Sequence, residues 1–208
     1  ADEIAVYRPI IVNAAEKYNT EKREMADRDT YGKAFLQIMN LWLCDEDVKE
    51  FVLSKRLAKI AADLMGVENV RIYHDQALFK EAGGGPTPWH HDQYYWPIDT
   101  NNTITLWMPL VDIDVDMGML TFASGSFKNG AVFDFEISDE SESAFDDYVQ
   151  KQKFPITRAQ TIKAGDATFH RGFTIHNAPG NKSDKMREVM TIIYVADGAR
   201  VSEPKHSW

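Results

Sequence analysis

The stretch Pro88-Trp89-His90-His91-Asp92-Gln93-Tyr94-Tyr95-Trp96-Pro97 follows the glycine-rich run Gly83-Gly84-Gly85-Pro86 and sets a His-x-Asp pair among aromatic residues. In an extended strand, residues two apart project from one face. The His90 imidazole and the Asp92 carboxylate can therefore grip one metal ion, while His91 points the other way. A third ligand is needed, and the chain offers it at His176, in Phe173-Thr174-Ile175-His176-Asn177-Ala178-Pro179-Gly180-Asn181. Two histidines and one carboxylate on one side of a metal form a facial triad that leaves the opposite positions open, the donor set of non-heme Fe(II) oxygenases. His170, in Phe169-His170-Arg171-Gly172 at the edge of a turn, competes for the third position, with a surface or supporting place as its other reading. His74 and His206 stand alone, and a lone histidine is usually a hydrogen-bonded structural residue.

The pattern resembles the phytanoyl-CoA dioxygenase family of Fe(II)- and 2-oxoglutarate-dependent oxygenases, from about residue 70 to 200. The elements that carry the resemblance are Trp89-His90-His91-Asp92, Ala123-Ser124-Gly125-Ser126, Gly165-Asp166, His176 and, eleven residues on, Arg187. A lone His-x-Asp is weak evidence, whereas these elements in order and at family spacing are specific. The spacing to Arg187 selects His176 over His170. The resemblance implies a double-stranded β-helix, the jelly roll of cupin-like proteins, buttressed by N-terminal helices. It also implies Fe(II) on His90, Asp92 and His176, 2-oxoglutarate and O2 as co-substrates, and Trp107 and Gln76 as further lining of the co-substrate pocket. Two positions depart from the family: Ala178 replaces a frequent serine two residues after the distal histidine, and Phe127 replaces a frequent histidine after Gly125-Ser126.

A chain of 208 residues with 44% hydrophobic residues suits one domain with one good core, a helical buttress over about 1–66 and a β core over about 67–200. No apolar run approaches a membrane span and nothing at the start resembles a signal peptide. The chain begins at Ala1 without Met and stops at Trp208, as a trimmed piece would. The single cysteine, Cys44, permits no intrachain disulfide, and a reducing cytoplasm is the expected compartment. A net charge of −9 argues against a nucleic-acid partner, because duplex binding needs clustered Lys and Arg; a small-molecule substrate is the partner that the resemblance implies.

Helices come first and strands afterwards. Pro9 with Ile10, Ile11, Ala14 and Ala15 predicts a helix with proline in its first turn, and a second helix is expected over 34–43. Asp45 predicts the cap of a third, with Val48, Phe51, Val52, Leu57, Ile60, Ala61 and Leu64 as its stripe. From Val70 the period changes to two. Val70, Ile72, His74, Gln76 and Leu78 are expected on one strand face, and Thr103, Thr105 and Trp107 alternate with Ile104, Leu106 and Met108. Met117-Gly118 marks a turn, and the acidic stretch 138–150 reads as a solvated surface helix or lid.

Arg187 alternates with Val189, Thr191 and Ile193, an inward face if a barrel strand begins there. Its planar donor fork matches a carboxylate in a way Lys cannot copy, so it is the expected anchor for the distal carboxylate of 2-oxoglutarate. Tyr94, Tyr95, Trp96, Phe133 and Phe135 are candidate walls of a substrate pocket. The resemblance implies hydroxylation of an unactivated C–H bond of a small molecule with release of succinate and CO2. The same cofactors also serve desaturation, epimerisation and ring formation. A non-catalytic metal-binding jelly roll is the third reading, and it has no need of Arg187.

Overall fold

The structure, a computed structural model, describes residues 2–133 and 136–203; Phe135 and His206 lie outside the described residues. The first helix, α1 (Asp2–Tyr18), begins well before Pro9, which sits in its interior. Ile11, Ala14 and Ala15 turn inward from it and are buried. The short α2 (Thr30–Ala34) is capped by the Asp29 side chain, which accepts from the Gly32 N–H.

The helix expected over 34–43 is absent. Those residues form a strand, β1 (Leu36–Met39), then Asn40 in a left-handed conformation and a 3-10 turn over Leu41–Leu43. Long-range pairing overrides local propensity here, because β1 runs antiparallel to β2 (Val70–Phe79) with Leu36 opposite Phe79 and Met39 opposite Gln76. The buried Asp75 carboxylate fixes the turn that follows, accepting the N–H groups of Leu41 and Trp42 at 2.9 Å each.

The next apolar stripe belongs to two helices, α3 (Glu46–Val52) and α4 (Lys55–Met65). Asp45 caps α3 as its sequence predicts, accepting from Asp47 and Val48, and Gly66 ends α4 at a φ of 71°. Leu57, Ala61 and Met65 face inward, while Ile60 and Leu64 stay exposed.

The remaining elements are β3 (Thr87–His90), β4 (Thr103–Pro109), β5 (Ile113–Asp114), β6 (Thr121–Ala123), α5 (Asp139–Gln152), β7 (Ile156–Arg158), β8 (Thr161–Ile162), β9 (Thr168–Arg171), β10 (His176–Ala178) and β11 (Val189–Ala196). A five-stranded sheet runs β1-β2-β11-β4-β9, a four-stranded sheet runs β3-β10-β6-β7, and β5 pairs with β8. All pairings are antiparallel. This is the jelly roll with N-terminal helices.

The five-stranded sheet has two unlike faces. Ala77, Ile104, Leu106, Met190, Ile192 and Tyr194 pack into one core cluster with α1, α3 and α4. On the other face the register lines up Gln76, Thr191, Trp107 and Thr168 in one row, and His74, Ile193, Thr105 and His170 in the next. The alternation expected along β4 is therefore realised. Along β2 it breaks: Ile193 pairs with His74 but Tyr194 pairs with Ile72, so Tyr73 is an extra residue. A bulge shifts side-chain parity by one. Val70 and Ile72 accordingly pack with the helices, while His74, Gln76 and Leu78 keep the opposite face.

Burial pushes the Asp75 carboxyl up to about 6, against the pull of its two N–H donors. A carboxyl with a raised folded pKa contributes stability that is full below its unfolded pKa of about 4 and is lost as pH rises through about 6. Relative to Asp75→Asn, the wild-type protein should therefore lose on the order of 3 kcal/mol between pH 4 and pH 7. Urea denaturation of both proteins across that range measures it, and parallel pH profiles contradict it.

Candidate active site

His90 ends β3 and Asp92 opens a 3-10 turn over Asp92–Tyr95, so the pair straddles a strand end. His176 begins β10 directly opposite His90, with the imidazole centroids 4.2 Å apart. Each ring is locked in the same way. His90 Nδ1 lies 2.8 Å from Pro88 O, and His176 Nδ1 lies 2.9 Å from Thr174 O. A carbonyl can only accept, so both Nδ1 atoms carry the proton and both Nε2 lone pairs are free.

These lone pairs meet Asp92. Its Oδ1 is 3.6 Å from His90 Nε2 and 3.7 Å from His176 Nε2, too far for good hydrogen bonds. Its Oδ2 is held from behind, accepting from Thr105 Oγ1 at 3.0 Å and from His170 Nε2 at 3.2 Å. One donor atom from each of His90, Asp92 and His176 lies within 4.8 Å of the other two. Three donors gathered so closely, with no hydrogen between them, fit one divalent ion, and their identity suits Fe(II).

The electrostatics agree with that fit. Burial alone raises the Asp92 carboxyl, but His176, His170 and His90 outweigh it and hold the group well below the usual range. Burial, and then His90, keeps His176 well below the usual histidine value. An ionised carboxylate and a neutral imidazole are the forms that bind metals. The side chains of His90 and Asp92 keep 12% and 20% exposure against 6% for His176, so the cluster opens on their side.

His91 points away as expected, buried between the rings of Phe145 and Phe173. His170 is not at a surface turn; it lies within β9, buried, with its Nε2 on Asp92.

Arg187 faces inward and is buried; its Nη1 donates to Gly118 O and its guanidinium lies 5.5 Å from the Trp107 ring centre. Its Nε has no hydrogen-bond partner among the described residues. Gln76 and Trp107 share the row one step along the sheet from His74 and Thr105. The Gln76 side-chain carbonyl accepts from Gln37 Nε2, and Tyr31 O–H donates to Gln37 at 3.1 Å. Tyr31 titrates above its ordinary value, first through burial and then through Tyr95 and Asp92, so its phenol remains a donor near the cluster.

Of the expected pocket walls, Tyr94 and Tyr95 stack edge to face beside Asp92, and Tyr95 O–H accepts from the Ile137 N–H. Trp96 is buried against Tyr73 and His74, and Phe133 packs against Phe145 and Tyr148. The acidic helix α5 is more than a solvated face. Phe145 and Val149 are buried, and Glu142 accepts the Trp89 N–H one residue before His90. Sequence reading passed over Tyr31, Gln37, Lys80 and Glu142. Only Lys80 carries a signal, since it extends the alternation His74, Gln76, Leu78 by one more step.

The phytanoyl-CoA dioxygenase (PhyH) family profile matches residues 3–189, and the chain belongs to that family. A phytanoyl-CoA dioxygenase of Arabidopsis thaliana is 30% identical over 166 residues, covering 77% of this chain and 56% of the relative. A probable alpha-ketoglutarate-dependent hypophosphite dioxygenase of Stutzerimonas stutzeri is 25% identical over 174 residues, covering 80% of this chain and 59% of the relative. The chain thus spans less than two thirds of the length of these relatives. Among solved structures, the non-heme alpha ketoglutarate dependent carbocyclase SnoK from nogalamycin biosynthesis superposes with a TM-score of 0.82 at 24% identity, covering 99% of this chain and 79% of its own. Among the described residues, no helix is long and apolar enough to cross a membrane.

Gly172 closes the back of the site. Its carbonyl accepts the Gln93 N–H at 2.9 Å, one residue after Asp92, and a β-carbon there would lie 2.3 Å from Thr103 Oγ1 and 2.5 Å from Gln93 Oε1. Gly172→Ala must therefore break the 2.6 Å bond between those two side chains. The expected cost is about 1–3 kcal/mol, read as a lower urea midpoint at unchanged m-value. A variant as stable as wild type would show that the turn bearing Asp92 yields freely.

Proposed function

We propose that this chain is the catalytic domain of an Fe(II)- and 2-oxoglutarate-dependent oxygenase that hydroxylates an unactivated C–H bond of a small molecule, releasing succinate and CO2. The observation that carries it is the convergence of His90 Nε2, His176 Nε2 and Asp92 Oδ1; a buried arginine over the Trp107 ring, with no carboxylate partner among the described residues, supports it. Family membership supports the reading.

His90, Asp92 and His176 would hold the iron, with Thr105 and His170 fixing Asp92 so that Oδ1 faces the two imidazoles. Bound iron and 2-oxoglutarate supply the oxidising chemistry, coupling reduction of O2 to decarboxylation of the keto acid. Arg187 pairs with the distal carboxylate of 2-oxoglutarate, Trp107 packs on its carbon chain, and the Gln76 amide donates a hydrogen bond to it. Tyr94 and Tyr95 line the open side, where a substrate C–H must be positioned and water excluded. Localisation in the cytoplasm is part of the same proposal, as is a small-molecule rather than nucleic-acid or membrane partner. The fold neighbour named as a carbocyclase supports a second reading, in which the same site directs ring formation.

Replacing His90, Asp92 or His176 by Ala should abolish turnover and greatly weaken Fe(II) binding, whereas His91→Ala should retain the metal. His170→Ala should also retain it, with affinity lowered about 10- to 100-fold, because the second support of Asp92 is lost. Anaerobic calorimetry with Fe(II) measures these affinities, and normal iron binding by His176→Ala would remove that residue from the centre.

Anaerobic protein with Fe(II) should develop a weak visible charge-transfer band when 2-oxoglutarate is added and none with succinate, which lacks the keto group. Arg187→Ala should need at least about tenfold more 2-oxoglutarate for the same absorbance, as expected for losing a charge-assisted pair. Iron-loaded protein that gives no band at saturating 2-oxoglutarate would favour the non-catalytic reading.

A further inference from the structure

In extended chain, the residue before each metal histidine projects to the side opposite its imidazole. Those residues are Trp89, before His90, and Ile175, before His176, and both are buried in one cluster with Phe145 and Val149 of α5. The two segments that carry the imidazoles are therefore backed by the same helix face. His91, which also points outward, meets the Phe145 ring edge to face at 5.7 Å.

Two polar contacts add to this packing. Glu142 accepts the Trp89 N–H on the edge of β3 that β10 leaves unpaired, and Tyr95 O–H accepts the Ile137 N–H at 2.8 Å, just ahead of α5. With the ring contact at His91, these fall at residues 89, 91 and 95, on either side of His90 and Asp92. The helix thus holds the ligand-bearing segment through residues that are not themselves ligands.

On its own α5 has little to sustain it. A helix of 14 residues is marginal in water, and its capping box of Ser138 and Ser141 supports only the first turn. Glu142 and Asp146 are like charges at a spacing that disfavours an isolated helix. Docking supplies what the helix lacks. Order in α5 and order in the metal segment are then two ends of one equilibrium, and a ligand that favours one favours the other by the same factor.

We propose that Glu142 is a positioning residue for the metal centre, and that its bond to Trp89 couples docking of α5 to metal binding by His90, Asp92 and His176. This rests on the reading of those three residues as the metal ligands. Undocking of the helix frees the Trp89 N–H and uncovers Ile175, so the two imidazoles lose their common backing.

The first test is anaerobic calorimetry with Fe(II). Glu142→Ala should weaken binding about tenfold, the lower end of the range for groups that stand behind a ligand. Glu142→Gln keeps an oxygen that can accept the N–H and should recover most of the loss, and Glu140→Ala, at an exposed position of the same helix, should bind as wild type does. Unchanged binding by Glu142→Ala, or an equal loss in Glu142→Gln or Glu140→Ala, overturns the proposal. The second test needs no variant. Hydrogen exchange of the wild-type protein is followed with and without saturating Fe(II), on those amides of residues 143–151 whose rates do not respond to low urea, the mark of local opening. Fe(II) should slow them about tenfold, whereas a bond that merely steadies the helix does so with and without metal alike. Exchange in α5 that ignores the metal overturns the proposal even if Glu142→Ala fails to fold. Wild-type protein that binds no Fe(II) would instead overturn the parent reading of the three ligands.

Discussion

Everything in the site depends on a single strand register. His90 and His176 face each other across β3 and β10, and each imidazole is turned toward the common centre by the carbonyl two residues before it. A slip of one residue would replace His176 by Ile175 or Asn177 and send the second imidazole to the other face. The five-stranded sheet then presents Thr105 and His170 from adjacent strands to the far oxygen of Asp92. The donor atoms are thus fixed by backbone geometry and by a few polar contacts, with little left to side-chain freedom.

Much of this was legible in the residues because the chemistry ties residue type to spacing. His90, Asp92, His176 and Arg187 are identifiable from the order of their motifs, and the alternation along 103–108 tells which side of β4 faces the helices. The stretch 34–43 misleads because Ala-Phe-Leu-Gln-Ile-Met suits a helix as well as a strand, and what decides is pairing with residues about forty positions away. That pairing brings Gln37 to Gln76, so Gln37 and Tyr31 could not be placed at the site before the strand was known. The extra residue at Tyr73 has no local signature either, and it reverses the orientation of Val70 and Ile72.

Covering the metal strand is a separate requirement. β3 lies at the edge of its sheet, where an unpaired N–H would be open to solvent or to another chain. The Trp89 N–H is taken by Glu142 of α5, while Phe145 from the same helix packs on His91. An acidic helix, which by composition reads as a solvated face, therefore closes a sheet edge through one carboxylate and fills the space behind His91 through one aromatic ring.

The bulge at Tyr73 gives β2 two independent halves. Between Val70 and Ile72 the strand answers to the helices, and from His74 onward it answers to the polar interior. Substitutions, or a change in loop length before Val70, can be absorbed in the first half without rotating His74 or Gln76. The bulge acts as a coupling that isolates the inner half from drift outside. The helical side of the molecule can thereby change its packing while the geometry facing the triad keeps its place.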